Sequence, residues 1–253
     1  MKFRTISRLH YLKRAKHRHG HGIHSPFLFH LITNVIEDRR RPPEYKIYKN
    51  LRINALILLA DSKKLLLSNI CNQFNLPLSK QGKIFKKIEL PIRYGKVIFR
   101  LIKEFKPTSV LNFGPALGIN LALMAMANRD TPVYQIINQS ACDLFSRELL
   151  KDSTISNIHY LAENHKQQVS PDFIVINHPN DPKMSGSISQ NFASSLGVNG
   201  VLIIRGIHES KEMEIVWNEL IANVRVRVSL DLFEVGIALF RTGLQKENFI
   251  LRY

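Results

Sequence analysis

Residues 108–127 constrain the fold more than any other part of this 253-residue chain. An apolar run over 109–113 is followed by a turn that contains Gly114 and Gly118, and then by the apolar segment 120–127. A buried strand, a tight glycine turn and a helix in this order are typical of α/β folds that hold nucleotide-type cofactors. The stretch therefore predicts the fold class and the place of a cofactor site.

Strand-like and helix-like segments alternate from residue 109 onward. Strands are predicted over 109–113, 133–137, 158–161, 173–176, 201–204, 224–230 and 235–240. Helices are predicted over 120–127, 140–150, 187–196 and 209–222. This order implies right-handed crossovers and a parallel sheet covered on both faces. Residues 231–234 are too few for a parallel crossover, so the last two strands should form an antiparallel hairpin. The predicted class is α/β, with a doubly wound, mainly parallel seven-stranded sheet.

A basic, helical region precedes this sheet. We predict an extension over residues 1–90 and an α/β domain over 91–253. Within the extension, Ser25 is a suitable N-cap and Pro26 a favourable first helical residue, which predicts a helix to about residue 38. Another helix is predicted from apolar residues that recur every third position between basic ones and so share one stripe: Phe3, Ile6, Leu9 and Leu12.

The net charge of +16 is concentrated in the first part of the chain. Residues 1–100 contain 22 Lys and Arg but 5 Asp and Glu, and no acidic residue precedes Glu37. This asymmetry predicts that residues 1–41 contact nucleic acid, an anionic membrane surface or an acidic partner. A solvated basic face without a partner is an equal alternative, and self-association is a third.

Aromatic residues interleave with the basic ones and could stack on nucleic-acid bases: Tyr11, Phe27, Phe29, Tyr45 and Tyr48. For Phe27 and Phe29 we favour anchoring of the extension onto the α/β domain, because both lie in an apolar helical pattern.

The lengths of apolar runs and the placement of Cys and His argue against a membrane-spanning protein, a secreted protein and a metal-binding protein. The longest apolar run considered, 53–60, is far shorter than the roughly 20 residues that span a bilayer, and we expect no secretory signal. Cys71 and Cys142 lack metal-type spacing, so we expect two buried apolar side chains and a cytoplasmic protein. The histidines between residues 17 and 24 lack the Cys or Glu partners of structural zinc sites, and we predict no metal site.

Four short motifs, in their order and spacing, carry a resemblance to a known family: His24-Ser-Pro-Phe-Leu-Phe29, the turn 111–118, Ile207-His-Glu-Ser-Lys-Glu-Met213 and Val228-Ser-Leu-Asp-Leu-Phe233. Together with the strand pattern they resemble class I S-adenosylmethionine-dependent methyltransferases, in particular a bacterial O-methyltransferase-like family with a basic helical N-terminal extension. The resemblance covers nearly the whole chain. It implies S-adenosylmethionine as the cofactor, held around Asn112, Gly114, Ala116, Gly118, Asn138 and Asn177.

The acidic residues that this family uses are replaced here. The first strand carries Asn112, the second ends at Asn138, the fourth at Asn177 and the fifth at Arg205. Loss of one charge-assisted bidentate contact costs about 1–3 kcal/mol, or about ten- to a hundredfold in affinity. Arg205 adds a positive charge where the sulfonium is expected. We therefore expect weakened or lost activity, and no magnesium site, since magnesium prefers carboxylate oxygens.

His208 follows the fifth predicted strand and is the candidate general base if the protein is active, because an imidazole with a pKa of about 6.5 suits proton transfer at neutral pH. Capping of the next helix, or packing beside Trp217, explains it equally well. His178 is interpreted as a loop histidine. The leading hypothesis is a methyltransferase-like protein derived from O-methyltransferases that acts by proximity and orientation. The alternative is a non-catalytic protein of this fold that binds nucleic acid or anionic membrane through residues 1–41.

Overall fold

The computed structural model describes residues 3–15, 19–61, 64–74, 83–137, 141–162, 169–177 and 181–253. The helices in these ranges are α1 (Phe3–Arg14), α2 (Pro26–His30), which runs into a π-helical segment (Leu31–Ile36), α3 (Glu44–Asp61), α4 (Lys64–Gln73), α5 (Ile84–Ile88), α6 (Ile92–Phe105), α7 (Ile119–Ala127), α8 (Ala141–Leu150), α9 (Pro182–Ser195) and α10 (Lys211–Ala222). The strands are β1 (Val110–Phe113), β2 (Val133–Ile137), β3 (Ile158–Ala162), β4 (Phe173–Ile176), β5 (Val201–Arg205), β6 (Val228–Asp231), β7 (Val235–Leu239) and β8 (Glu247–Ile250).

The eight strands form one mixed sheet in the order β3-β2-β1-β4-β5-β7-β6-β8. β1 pairs with β2, β2 with β3 and β4 with β5, each in parallel. β7 runs antiparallel to both β5 and β6, which confirms the predicted hairpin. The predicted doubly wound, mainly parallel class is confirmed, but the count of seven strands was wrong. The additional strand, β8, pairs in parallel with β6 at the edge of the sheet.

The chain divides into two compact units, which differ from the predicted division at residue 90. The first unit contains residues 1–39 and 170–253, and the second unit contains residues 40–169. Residues 1–39 therefore belong with the last strands of the chain. The predicted extension over 1–90 stays a prediction about domain organisation.

In the second unit, the glycine turn leads into α7, a helix that is packed on all sides. Every residue of α7 is buried, which explains why this segment is apolar on all sides. α6 and α3 both pack on α7, and Leu51 of α3 joins Ala122 and Leu150 in one apolar cluster. The turn between β1 and α7 is thus held from several directions.

In the first unit, α1 packs beside the ends of the C-terminal strands. Tyr11 and Ala15 form an apolar cluster with Phe233, and Ile250 of β8 packs against it. The Tyr11 hydroxyl donates a hydrogen bond to the Leu251 carbonyl. The apolar stripe that predicted this helix does not make these contacts, since its four residues are exposed.

Two further expectations concern apolar segments and cysteines. Among the residues that the structure describes, no helix is long and apolar enough to cross a membrane. Cys71 and Cys142 are both buried, which confirms the interpretation as small buried side chains.

Candidate functional site

The glycine turn after β1 has the geometry that the sequence predicted. Gly114 and Gly118 have φ values of 111° and 97°, in a region that side chains with a Cβ rarely adopt. A Cβ on Gly118 would also lie 2.8 Å from the Ser146 hydroxyl. Between the glycines, Ala116 and Leu117 are buried. The turn therefore brings its backbone close to neighbouring groups at a point where only glycine fits.

Asn112 lies buried in β1, directly opposite Gln135 of β2. Its Nδ2 donates to Gln135 Oε1 at 2.6 Å, and Gln135 Nε2 donates to the carbonyls of Gly114 at 2.8 Å and Ile136 at 2.7 Å. The two amides thus link the strand ends to the turn. They supply no negative charge at the position where the family resemblance implied a carboxylate.

Glu89 is a buried acid that the sequence analysis missed. It lies in the chain between α5 and α6, and the residue is 3% exposed. One carboxylate oxygen accepts a hydrogen bond from Leu117 N at 2.7 Å. The other accepts from Asn120 N at 3.1 Å and from the Asn120 side-chain amide. A carboxylate is favourable here because the N–H groups at the start of α7 carry partial positive charge.

Tyr48 and Gly95 complete the surroundings of this carboxylate. The Tyr48 hydroxyl donates to Asn120 Oδ1 at 2.9 Å. Burial, followed by the charge of Glu89, raises the pKa of Tyr48 above its usual range, so the phenol stays protonated. A Cβ on Gly95 would lie 2.6 Å from Asn120 Oδ1, which shows how closely α6 approaches this group.

The ends of β4 and β5 lie in the first unit and carry a buried cation. Arg205 Nη1 donates to Asn177 Oδ1 at 2.9 Å, and Arg205 Nε lies 3.9 Å from Glu234 Oε1. Asn177 therefore holds Arg205, and Glu234 partly offsets its positive charge. Asn138, the residue expected at the end of β2, and His178, the predicted loop histidine, lie outside the described residues.

His208 is held between two carboxylates. Its Nδ1 lies 2.7 Å from Glu214 Oε1 and its Nε2 lies 2.8 Å from Asp231 Oδ2. Burial lowers the pKa of His208, but the hydrogen bonds and charges of Asp231 and Glu214 outweigh it, so the pKa is raised above its ordinary value. With a proton on each nitrogen, the ring is an imidazolium that donates twice. To act as a base it would have to lose a proton and one partner.

Of the two structural alternatives for His208, capping of α10 was wrong and packing beside Trp217 stays a prediction. Ser210, rather than His208, caps α10, because its hydroxyl accepts from Met213 N at 3.2 Å. The His208 ring stacks on Phe233, with centroids 5.2 Å apart. Phe233 has a φ of 70°, which is strained backbone for a residue with a side chain.

A cavity of about 390 Å³ lies beside His208 in the first unit. Side chains of α1, α10, β6 and β8 line it, among them Tyr11, Glu214, Trp217, Ser229 and Asp231. Acidic, aromatic and hydroxyl groups thus line a cavity beside the candidate base.

Three of the aromatic residues predicted to stack on bases are inaccessible to them. Tyr11, Tyr45 and Tyr48 are buried, so that prediction was wrong for them. Apolar packing and their hydroxyl hydrogen bonds place them inside. Phe27 is partly buried under Arg241, whose guanidinium lies 4.3 Å from the ring centre, which fits the expected anchoring. Phe29 is exposed, so anchoring does not extend to it.

In the histidine-rich segment, His19 lies beside an acidic side chain. His19 Nδ1 lies 2.8 Å from Glu37 Oε2. Within the described ranges, no group of three or more His, Cys, Asp or Glu side chains is placed to hold a metal ion.

The fold is shared with solved methyltransferases. PaMTH1, a methyltransferase of Podospora anserina in complex with S-adenosylhomocysteine (SAH), is 12% identical with a TM-score of 0.51, over 79% of this chain and 97% of that chain. TomG, an O-methyltransferase of tomaymycin synthesis from Streptomyces achromogenes in complex with SAM, is 12% identical with a TM-score of 0.51, over 70% and 89%. A methyltransferase from Geobacter sulfurreducens is 15% identical with a TM-score of 0.51, over 68% and 86%.

No protein-family model matches this sequence, and no curated protein matches it. At these identities the solved structures establish the fold. The chain has the class I S-adenosylmethionine-dependent methyltransferase fold in the form found in O-methyltransferases, which confirms the predicted resemblance at the level of the fold.

Proposed function

We propose that this protein is a methyltransferase-like protein of O-methyltransferase descent, whose binding of S-adenosylmethionine, and with it methyl transfer, is weakened. Solved proteins of the same fold carry S-adenosylmethionine or S-adenosylhomocysteine. The proposed cofactor residues are those of the predicted site: Asn112, Gly114, Ala116, Gly118, Asn138 and Asn177.

The backbone of the turn fits this cofactor, but the polar side chains do not. The positive φ values of Gly114 and Gly118 suit close approach of a ligand. S-adenosylmethionine, however, brings a sulfonium and an ammonium group that attract carboxylates, and Asn112 is neutral. Its amide is already bonded to Gln135. The amides of Asn112 and Gln135 therefore supply no negative charge to balance the positive charge of the cofactor.

The bonding of Glu89 is the observation that carries the proposal. The N–H groups at a helix N-terminus are natural donors to an anionic ligand group such as the cofactor's carboxylate. In this protein the Glu89 carboxylate already accepts from Leu117 N and Asn120 N. A second carboxylate would meet filled donors and a like charge, so we expect the amino-acid end of the cofactor to bind poorly.

Calorimetric titration with S-adenosylmethionine and with S-adenosylhomocysteine tests this proposal. We expect dissociation constants weaker than micromolar for the full chain. Asn112→Asp restores a carboxylate, so it should tighten S-adenosylmethionine about tenfold. S-adenosylhomocysteine keeps the ammonium group but lacks the sulfonium charge, so its affinity should rise by the same factor or less. Micromolar binding by the unaltered protein with turnover would contradict the proposal, as would the absence of any gain for either ligand in Asn112→Asp.

His208 keeps its proposed place as the base of any residual activity. Its two carboxylate partners would first have to release one nitrogen, since a doubly bonded imidazolium cannot accept a proton. This requirement agrees with weak activity that depends mainly on proximity and orientation.

A second candidate function is non-catalytic binding through residues 1–41. The exposed side chains of Arg8, Lys13 and Arg14 on α1 favour it. Binding to nucleic acid or anionic lipid should then fall steeply with rising salt. Charge-removing variants suit this test better than deletion, because residues 1–39 pack with 170–253. Binding that ignores salt would contradict this function.

A further inference from the structure

Part of the apolar stripe of α1 faces away from the packed side of the helix. Its four large side chains are partly exposed: Phe3 37%, Ile6 39%, Leu9 48% and Leu12 41%. Phe3 and Ile6 line the cavity beside His208. The buried residues of α1 are Ser7 and Tyr11, and the helical period places Leu9 and Leu12 on the opposite side. Leu9 and Leu12 therefore form the outward stripe of α1.

The contacts on the inner side explain this orientation. Arg4 forms ion pairs with Glu209 and with Glu234, the latter at 2.5 Å. The Tyr11 hydroxyl bonds the Leu251 carbonyl, and its ring packs on Phe233 with centroids 5.1 Å apart. These polar and aromatic contacts hold α1 by its inner face. The stripe is therefore presented outward on a fixed helix.

Positive charge borders the outward stripe. Arg8, Lys13 and Arg14 of α1 are exposed, and no acidic residue precedes Glu37 in the sequence. An apolar stripe beside Lys and Arg is the pattern of a helix that lies in the headgroup region of an anionic bilayer. Each basic side chain near such a surface strengthens binding about fivefold.

The same surface suits nucleic acid less well. Sequence-tolerant binding of single strands relies on aromatic rings that stack on bases. Tyr11, Tyr45 and Tyr48 are buried, and the outward residues Leu9 and Leu12 are aliphatic. Aliphatic side chains gain from contact with acyl chains but have no comparable partner along a phosphate backbone.

We propose that the outward stripe of α1 binds the surface of an anionic lipid bilayer. Leu9 and Leu12 insert among the headgroups, while the basic side chains meet lipid phosphates. A helix of 12 residues is about 18 Å long, so it lies along the surface without spanning it. This inference rests on the second candidate function and is independent of methyl-donor binding.

Sedimentation of the full-length protein with vesicles tests it, using phosphatidylcholine mixed with phosphatidylglycerol and phosphatidylcholine alone. The Leu9→Glu, Leu12→Glu double variant should bind the anionic vesicles at least about tenfold more weakly. Val198→Glu and Val224→Glu are matched controls in the same unit, at positions 63% and 78% exposed, and should bind like the unaltered protein. Lys13→Gln with Arg14→Gln should lose about fivefold per charge.

Several results would overturn the proposal. Equal losses in the stripe and control variants would mean that the stripe is not the contact, as would full binding by a folded stripe variant. Salt-dependent binding of a single-stranded RNA oligonucleotide without vesicle binding would overturn it while leaving the second candidate function intact. Absence of both would remove that function too. A dimer in sedimentation velocity that the stripe variant dissociates, without vesicle binding, would assign the stripe to a second copy of the chain.

Discussion

Glu89 occupies hydrogen-bond donors of the glycine turn that a cofactor could otherwise use. The backbone of the turn is that expected for a cofactor site, yet its donors are satisfied from within by this carboxylate. Because Glu89 is buried, its charge is stabilised by these N–H groups and the helix dipole, with little help from water. The hydrogen bonds that keep these N–H groups from a ligand should also stabilise the fold.

Glu89→Gln tests this structural contribution. The substitution keeps the shape but removes the charge, and it turns an NH₂ group toward donors. We expect a loss of about 1.5–3 kcal/mol in the free energy of unfolding, measured with urea. Glu148→Gln is the matched control, because Glu148 forms an exposed i,i+3 pair with Lys151 and should cost under about 1 kcal/mol. Similar losses for both variants would show that the buried contacts are not stabilising.

His208 gives stability a pH dependence with a definite sign. Its pKa in the folded protein is raised above the unfolded value of about 6.5, so protonation favours folding. This contribution is complete below about pH 6.5 and is lost as the pH rises through the folded pKa. We expect the stability advantage of the unaltered protein over His208→Gln, measured by urea unfolding, to shrink as the pH rises above about 6.5. An advantage that stays flat or grows with pH would indicate a neutral imidazole.

At the scale of elements, four glycines differ in two properties, a positive φ and crowding at the Cβ position. Gly118 has a positive φ and a crowded Cβ position, Gly236 has only crowding against Trp217, and Gly243 has only a positive φ. Gly197 has neither. These four positions allow backbone strain and steric space to be measured separately.

Replacing each of these four glycines by Ala should therefore lower the free energy of unfolding by a different amount. Gly118→Ala and Gly236→Ala should cost about 2 kcal/mol or more, Gly243→Ala about 1 kcal/mol, and Gly197→Ala close to nothing. Thermal unfolding followed by circular dichroism measures the order. A Gly197→Ala variant as unstable as Gly118→Ala would show that the ranking does not come from local geometry.

The buried strands were predicted well from the sequence. A run of apolar β-branched residues bounded by turn residues is compatible with few structures other than a buried strand. The strands predicted over 133–137 and 173–176 match β2 and β4. β8 was missed because its sequence, Glu-Asn-Phe-Ile, is short and half polar. The start of β6 was placed four residues early, since Val and Arg alternate before it in a turn.

The candidate site was predicted less completely than the fold. The positions of Gly114 and Gly118 followed from local sequence, because the strand–turn–helix pattern is contiguous. Glu89 and the partners of His208 did not, because these contacts join residues far apart in the chain. An isolated acid among apolar residues, as at Glu89, is the one signal that could have indicated a buried carboxylate.

At the scale of the whole molecule, the basic region is part of the fold. Residues 1–39 belong to the first unit through the Arg4 ion pairs and the Tyr11 contacts. Helix α3, also within the predicted extension, packs on α7 in the second unit. Both halves of the predicted extension therefore cover surface of later residues. That surface would be exposed if the extension were removed.

Truncation decides whether residue 90 is a domain boundary. A chain of residues 91–253 lacks Tyr48 and Glu89, which bond Asn120, and lacks Tyr11, which covers Phe233. We expect it to lose cooperative unfolding and near-ultraviolet circular dichroism, while the full chain keeps both, because each unit would expose part of its core. The full chain carrying Leu9→Glu is the control, since its substitution is on the outward stripe and should unfold cooperatively. Cooperative unfolding of residues 91–253 alone would restore the division at residue 90 and make the preceding helices an accessory region.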